Sequence, residues 1–142
     1  MLKKLCLVLV IFLFFSCKEN TDLSGCSQQI PVTVTRSLSL PELNSAQVPG
    51  GFAILSNDGR KGIILLNING NDFVAYDRLC PNDFCDTPMS FDGSFTLECT
   101  CDGSKYGIGP GIGGAPQTNG FDCPAIEYQV LRNGNTIRII NF

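Results

Sequence analysis

Two short segments hold the residues best equipped for chemistry. One is Cys80-Pro81-Asn82-Asp83-Phe84-Cys85, and the other, a hairpin's length further on, is Cys99-Thr100-Cys101-Asp102-Gly103-Ser104-Lys105-Tyr106. Thiols this closely spaced have three ordinary fates: oxidation to disulfides, coordination of a soft or borderline metal, or thiol exchange. Thiolates from Cys80, Cys85, Cys99 and Cys101 suit zinc or an iron–sulfur cluster, and Asp102 offers a harder oxygen ligand beside three of them. The chain has no histidine, which removes the usual general base, proton shuttle and imidazole ligand together. Histidine-dependent mechanisms are excluded, and catalysis is the least supported reading, so the protein is expected not to be an enzyme.

Of the eight cysteines, Cys6 lies in an apolar N-terminal run and Cys17 just after it. That leaves Cys26, Cys80, Cys85, Cys99, Cys101 and Cys123, an even set that in an oxidising compartment reads as disulfides of open connectivity. Asp83, Asp86 and Asp92 are near one another, but their spacing fits no calcium loop and they read as solvated turn formers.

Export is itself an expectation from the first residues. Lys3 and Lys4 precede the unbroken apolar run Leu5 to Phe15, too short to span a bilayer comfortably, so residues 1–16 read as a signal peptide. Ser16-Cys17 resembles a lipobox, which implies cleavage before Cys17 and acylation of its thiol, for example by palmitate. Lys18-Glu19-Asn20 resembles the charged export tags of Bacteroidetes surface lipoproteins. The implied partner is the lipid bilayer, and the implied location is the cell envelope, on the periplasmic or the surface face of the outer membrane. Residues 17–30, rich in Ser, Asn, Gln and Asp, form the tether, and residues 31–142 are enough for one domain. Without Lys3 and Lys4, eight of the ten basic residues remain against thirteen acidic ones. No Lys/Arg cluster stands out, so nucleic acid is not an expected partner.

The elements that must position the cysteines are short strands. Val32 to Leu40 alternates, with Val32, Val34, Arg36, Leu38 and Leu40 on one side, and Pro41 ends it. Phe52 to Leu55, the strongly apolar Gly62 to Ile68, and Phe73 to Tyr76 follow, separated by the turn signals Asn57-Asp58-Gly59 and Asn69-Gly70. Between Cys80 and Cys123, glycine, proline and cysteine dominate, only Ser94 to Glu98 reads as strand, and cross-links or a metal are expected in place of a core. Ile126 to Leu131 and Thr136 to Ile140 close the chain as a hairpin about Asn133-Gly134. No amphipathic helix is expected, and the class is all-β, an antiparallel sandwich or small barrel with two cysteine-bearing loops. The glycine-rich stretch Tyr106 to Gly120 is a candidate exposed loop for contact with a protein or glycan partner.

The cysteine spacing resembles that of Rieske proteins, in which one loop supplies Cys-x-His and the other Cys-x-x-His to a [2Fe–2S] cluster. The cytochrome bc type adds one cysteine to each loop, and those two form a disulfide. Cys80 and Cys99 match the ligand cysteines and Cys85 and Cys101 the disulfide pair. Phe73-Val74-Ala75-Tyr76-Asp77-Arg78 resembles the strand entering the first loop, Gly103-Ser104-Lys105-Tyr106 the Gly-Ser-x-Phe leaving the second, and Gly114-Ala115-Pro116 a later Gly-Pro-Ala-Pro segment. The resemblance is strongest over residues 50–142. Asn82 and Asp102 stand at both histidine positions, and a neutral amide and a carboxylate are poor replacements for two imidazoles on iron. The resemblance therefore implies a degenerate domain with no cofactor, Cys80 joined to Cys99 and Cys85 to Cys101, with Cys26 and Cys123 left to join each other. The alternative it leaves is an electron-transfer protein whose [2Fe–2S] cluster, or zinc, uses Cys80, Cys85, Cys99, Cys101 and Asp102 as non-standard ligands.

Overall fold

Side chains on a strand alternate between the two faces of its sheet, so a strand apolar at every position must be covered on both. Ile63–Asn67 is such a strand, with all five residues buried. Ile63 and Leu65 enter one apolar cluster while Ile64 and Leu66 enter another. Two cores on opposite faces of one sheet follow from that sequence.

The computed structural model describes residues 25–82 and 85–141. The expected signal segment 1–16, Cys17, the first part of the tether and Asp83 lie outside the described residues. Among the described residues, nine strands run in chain order: β1 (Thr33–Ser37), β2 (Phe52–Leu55), β3 (Ile63–Asn67), β4 (Phe73–Asp77), β5 (Ser90–Phe91), β6 (Thr96–Glu98), β7 (Lys105–Gly107), β8 (Glu127–Asn133) and β9 (Thr136–Ile140). Six form a sheet in the order β1-β9-β8-β4-β3-β2, and β5-β6-β7 form a second sheet. Every paired register is antiparallel, so the class is all-β.

The face carrying Ile63 and Leu65 packs with Val34, Leu38, Leu43, Ala75, Tyr128, Ile137 and Ile139 in the larger core. Leu43 comes from a 3₁₀ helix, Pro41–Gln47, that follows β1. The strand has already ended at Ser37, short of the proline expected to stop it, and Pro41 instead starts the helix, because its fixed φ suits the first helical position. The opposite face, carrying Ile64, Leu66 and Tyr76, packs against Met89, Leu97, Tyr106 and Ile108. Those residues belong to the three-stranded sheet and its loops, so the cysteine-rich region has a core of its own. The sequence-based expectation of a largely structureless stretch held by cross-links is corrected here. Strands of two or three residues are too short for a periodic signal, and each is fixed by its neighbours instead.

Where β4 ends, Asp77 is completely buried. Its carboxylate accepts hydrogen bonds from the backbone N–H groups of Arg60 (2.6 Å), Lys61 (3.1 Å) and Leu79 (2.9 Å) and from the Tyr128 hydroxyl (2.8 Å). One side chain thus joins the β2–β3 loop, β8 and the first residues of the cysteine loop. Gly59 is required beneath it: its φ is +71°, and a Cβ there would stand 2.5 Å from an Asp77 oxygen.

Burial also acts on the phenols. It raises the pKa of Tyr76, Tyr106 and Tyr128, the three tyrosines of the chain. The charge of Glu127 and a hydrogen bond to it add to the rise at Tyr76, and Asp77 acts in the same way on Tyr128.

Replacing Asp77 by alanine strands four donors at once and is expected to lower unfolding stability by about 3 kcal/mol or more, while Tyr128→Phe removes one donor to a charged acceptor and loses about 2 kcal/mol. Urea unfolding of the two variants checks the order. Because the folded chain holds its phenols protonated and the unfolded chain ionises them near pH 10, the stabilisation is complete below about pH 10 and drains away above it. Phenolate absorbance should appear together with loss of the native circular-dichroism signal, and phenolate forming near pH 10 in a chain that keeps that signal would contradict this.

Candidate functional site

Each cysteine loop is closed at its base by hydrogen bonds. The first leaves β4 and returns where Met89 N–H donates to the Arg78 carbonyl (2.6 Å) while Arg78 Nε donates back to the Met89 carbonyl (2.9 Å). The second turns between β6 and β7, with Cys99 N–H on the Ser104 carbonyl (2.8 Å) and Gly103 N–H on the Cys99 carbonyl (2.9 Å). Gly103 has φ +72°, the left-handed conformation that lets so tight a turn close. β6 and β7 are paired from Thr96 and Gly107 to Glu98 and Lys105, so the second loop is a hairpin tip rather than a free excursion.

The two loops meet through sulfur. Cys80 is joined to Cys99 with Cα atoms 5.5 Å apart, and Cys85 to Cys101 with Cα atoms 5.8 Å apart. A third bridge joins Cys26 to Cys123 across a sequence separation of 97. Cys80 and Cys99 are each 1% exposed and Cys85 is 5% exposed, whereas Cys101 is exposed. The sulfur atoms of Cys80, Cys85 and Cys99 all lie within 4.8 Å of one another, so the two bridges are adjacent rather than separate staples. Cys85 Sγ also lies 3.4 Å from the Thr87 carbonyl and 3.8 Å from the Thr100 hydroxyl.

Asn82 and Asp102 face each other across the same junction. Asn82 Nδ2 reaches Asp102 Oδ2 at 3.4 Å and the Tyr106 hydroxyl at 3.5 Å. The Ser104 hydroxyl is 2.5 Å from Asp102 Oδ1 and 2.9 Å from the Tyr106 oxygen. An ionised carboxylate only accepts, so Ser104 donates to Asp102 and Tyr106 donates to Ser104. A closed circuit results, from Asn82 through Tyr106 and Ser104 to Asp102 and back. Burial by itself would raise the Asp102 pKa, but the Ser104 hydroxyl and N–H and the Asn82 amide outweigh it and hold the carboxyl below its usual range. Ser104 and Tyr106 are fully buried. Ser104 immediately precedes β7 and Tyr106 lies on it, two residues further on, a spacing that puts both on one face of an extended segment.

The donor set around these loops is a poor match for a [2Fe–2S] centre with imidazole on one iron. Asn82 and Asp102 are engaged with each other, Asp102 is further held by Ser104, and Cys80 and Cys99 are consumed in a bond between them. In a reduced chain, the close sulfurs of Cys80, Cys85 and Cys99 would suit a thiolate metal such as zinc, while Asp102 and Cys101 fall outside that group of ligand atoms.

Other candidate residues are placed away from this junction or in supporting roles. Asp92 accepts from the N–H groups of Ser94 (2.7 Å) and Thr96 (3.2 Å), and Asp86 pairs with Lys61 at 3.6 Å. The glycine-rich stretch after Tyr106 is not the wholly exposed loop expected: Gly107 N–H donates to Ala115 O (2.9 Å), Gln117 N–H to Lys105 O (2.7 Å) and Ala125 N–H to Gly114 O (2.9 Å). A Cβ at Gly114 would stand 2.5 Å from the Ala125 carbonyl oxygen, so that stretch packs its backbone against neighbouring chain. The described end of the tether is likewise attached, with Ser27 N–H on the Pro81 carbonyl (3.0 Å) and Cys26 bridged to Cys123. Among the described residues, no helix is long and apolar enough to cross a membrane.

No family model matches the chain, and no curated protein matches it. Among solved structures, it is similar to the ferredoxin of carbazole 1,9a-dioxygenase from Nocardioides aromaticivorans IC177, at 17% identity and a TM-score of 0.49, over 82% of this chain and 100% of that one.

Proposed function

We propose that this protein is an exported lipoprotein, held on the cell envelope by acylated Cys17, whose domain is Rieske-like but carries two disulfides where that family carries its cluster. It serves as a stapled scaffold or binding module that presents its loops to a protein or glycan partner, and it is not an enzyme. The observation that carries this reading is the Asn82–Tyr106–Ser104–Asp102 circuit beside the Cys80–Cys99 bridge. Histidine positions filled by a mutually satisfied amide and carboxylate leave no second donor pair for iron, while the paired cysteines retain the cross-link between loops that a metal would otherwise supply. Each bridge contributes on the order of 2–4 kcal/mol by restricting the unfolded chain.

A second reading keeps electron transfer, through an iron–sulfur or zinc site with Cys80, Cys85, Cys99, Cys101 and Asp102 as non-standard ligands. The three sulfurs within 4.8 Å of one another favour it, and it requires those cysteines to be reduced in the working protein.

The full chain, purified in detergent both anaerobically and in air, separates the two readings. The first predicts no stoichiometric iron, sulfide or zinc, no visible absorption, and no alkylatable thiol among the six cysteines from Cys26 to Cys123. Visible colour with stoichiometric iron and sulfide would overturn it, and stoichiometric zinc would favour the second. The anchor is tested separately: Cys17→Ala should abolish incorporation of a labelled fatty acid and release the chain from membranes, and unchanged labelling would refute the lipobox reading.

A further inference from the structure

The two adjacent bridges differ in one respect that bears on chemistry: the sulfur pair of one includes an exposed residue, and that of the other does not. Cys101 is exposed, whereas its partner Cys85 is 5% exposed and Cys80 and Cys99 are each 1% exposed. A thiolate from outside can therefore approach Cys101, while the Cys80–Cys99 bridge is closed to it. Cys85 connects the two, since its sulfur lies within 4.8 Å of both buried sulfurs. Disulfide exchange needs an attacking thiolate and access to one sulfur of the bond attacked, and Cys85 has that access from inside the protein.

We propose that the four cysteines form a two-step disulfide relay, in which Cys85–Cys101 receives electrons from an external dithiol and Cys85 passes them to the buried Cys80–Cys99 bridge. This rests on the reading above that disulfides stand in the cluster position. In the first step, one thiolate of the external dithiol attacks Cys101 Sγ, a mixed disulfide forms, the Cys85–Cys101 bond breaks and Cys85 leaves as a thiolate. The Thr100 hydroxyl, 3.8 Å from Cys85 Sγ, is placed to donate to that thiolate and stabilise it. In the second step, Cys85 attacks Cys80 or Cys99, a new bridge forms and the other buried sulfur is released as a thiolate. The second thiol of the external dithiol then attacks the mixed disulfide, leaves as part of its own new disulfide and frees Cys101. Cys101 attacks Cys85, which restores the outer bridge and releases the second buried thiolate. In sum, the external dithiol is oxidised to a disulfide, the Cys80–Cys99 bridge is reduced to two thiols, and the two electrons and two protons lost by the first are gained by the second.

The partner that fits is one carrying two closely spaced thiols, since a single thiol would stop at the mixed disulfide on Cys101. Thr100 is a positioning residue in this scheme. Its removal should slow transfer to the buried pair without preventing attack on Cys101.

The test uses the detergent-purified full chain with reduced dithiothreitol under native conditions, acid-quenched and alkylated at intervals, with each bridge followed by peptide mass mapping. Untreated samples come first: if Cys80 and Cys99 are unlinked or hold metal there, the reading of the site fails before the relay is examined. With the bridges present, the relay predicts that in Cys85→Ser/Cys101→Ser the Cys80–Cys99 bridge opens about tenfold or more slowly than in the parent chain. Equal opening rates would overturn the relay while leaving the stapled site intact. If that double variant does not fold, Cys101→Ser alone is decisive, because it leaves Cys85 as a free thiol beside the buried bridge. A species linking Cys85 to Cys80 or Cys99 should then appear without any reductant and increase with pH. Retention of only Cys80–Cys99 with Cys85 alkylatable would contradict the proposal.

Discussion

The structure of the site depends on covalent closure between two loops that come from different sheets. The first loop leaves β4 in the six-stranded sheet and the second is the tip of the β6–β7 hairpin in the three-stranded one. Strand pairing does not connect those sheets. An apolar cluster running from Ile64 and Tyr76 to Leu97 and Tyr106 packs them together, and the sulfur bonds at its rim fix how the loops meet. Apolar packing is non-directional, whereas a disulfide constrains the separation of two Cα atoms to a narrow range. The bridges therefore convert a packed interface into a defined juncture at which Asn82 and Asp102 come within hydrogen-bonding distance.

Asp77 supports the same juncture from behind. Its carboxylate holds the N–H of Leu79, the residue before Cys80, together with the β2–β3 loop and Tyr128 of β8. A buried carboxylate is tolerated because donors meet it from several sides, and once met it fixes position more sharply than an apolar side chain would. The Cys26–Cys123 bridge and the bond from Ser27 to the Pro81 carbonyl then secure the N-terminal segment across the first loop. Every polar side-chain atom buried among the described residues finds a partner, so the sulfur-rich region is a completed polar structure as well as a cross-linked one.

Much of the strand order was legible because strong local signals coincide. The turn residues Asn69-Gly70 and Asn133-Gly134 separate runs whose apolar pattern matches β3, β4, β8 and β9. The alternation from Val32 is real but shorter than it reads: the strand covers Thr33–Ser37, with Leu38 buried beyond it and Leu40 exposed. The chain then bends into the 3₁₀ helix Pro41–Gln47, which carries only Leu43 and Ala46 inward and so shows no helical periodicity. β5 and β7 were not legible, since two or three residues cannot display a period. In the site, cysteine spacing identified the two loops, while the roles of Asp77, Ser104 and Tyr106 depend on partners brought together only by folding. Asp77 bonds to Tyr128, 51 residues away, and no local pattern announces such a pair.

Sulfur–sulfur bonds join the two cysteine loops at this juncture. Anomalous X-ray diffraction from crystals of the untreated protein, recorded on both sides of the iron absorption edge, tests this at atomic level. The expected result is sulfur signals paired within bonding distance at Cys80 with Cys99 and at Cys85 with Cys101, and no change in signal there across the edge. Two peaks that appear above the iron edge between Cys80 and Cys99, with those sulfurs held apart, would contradict it.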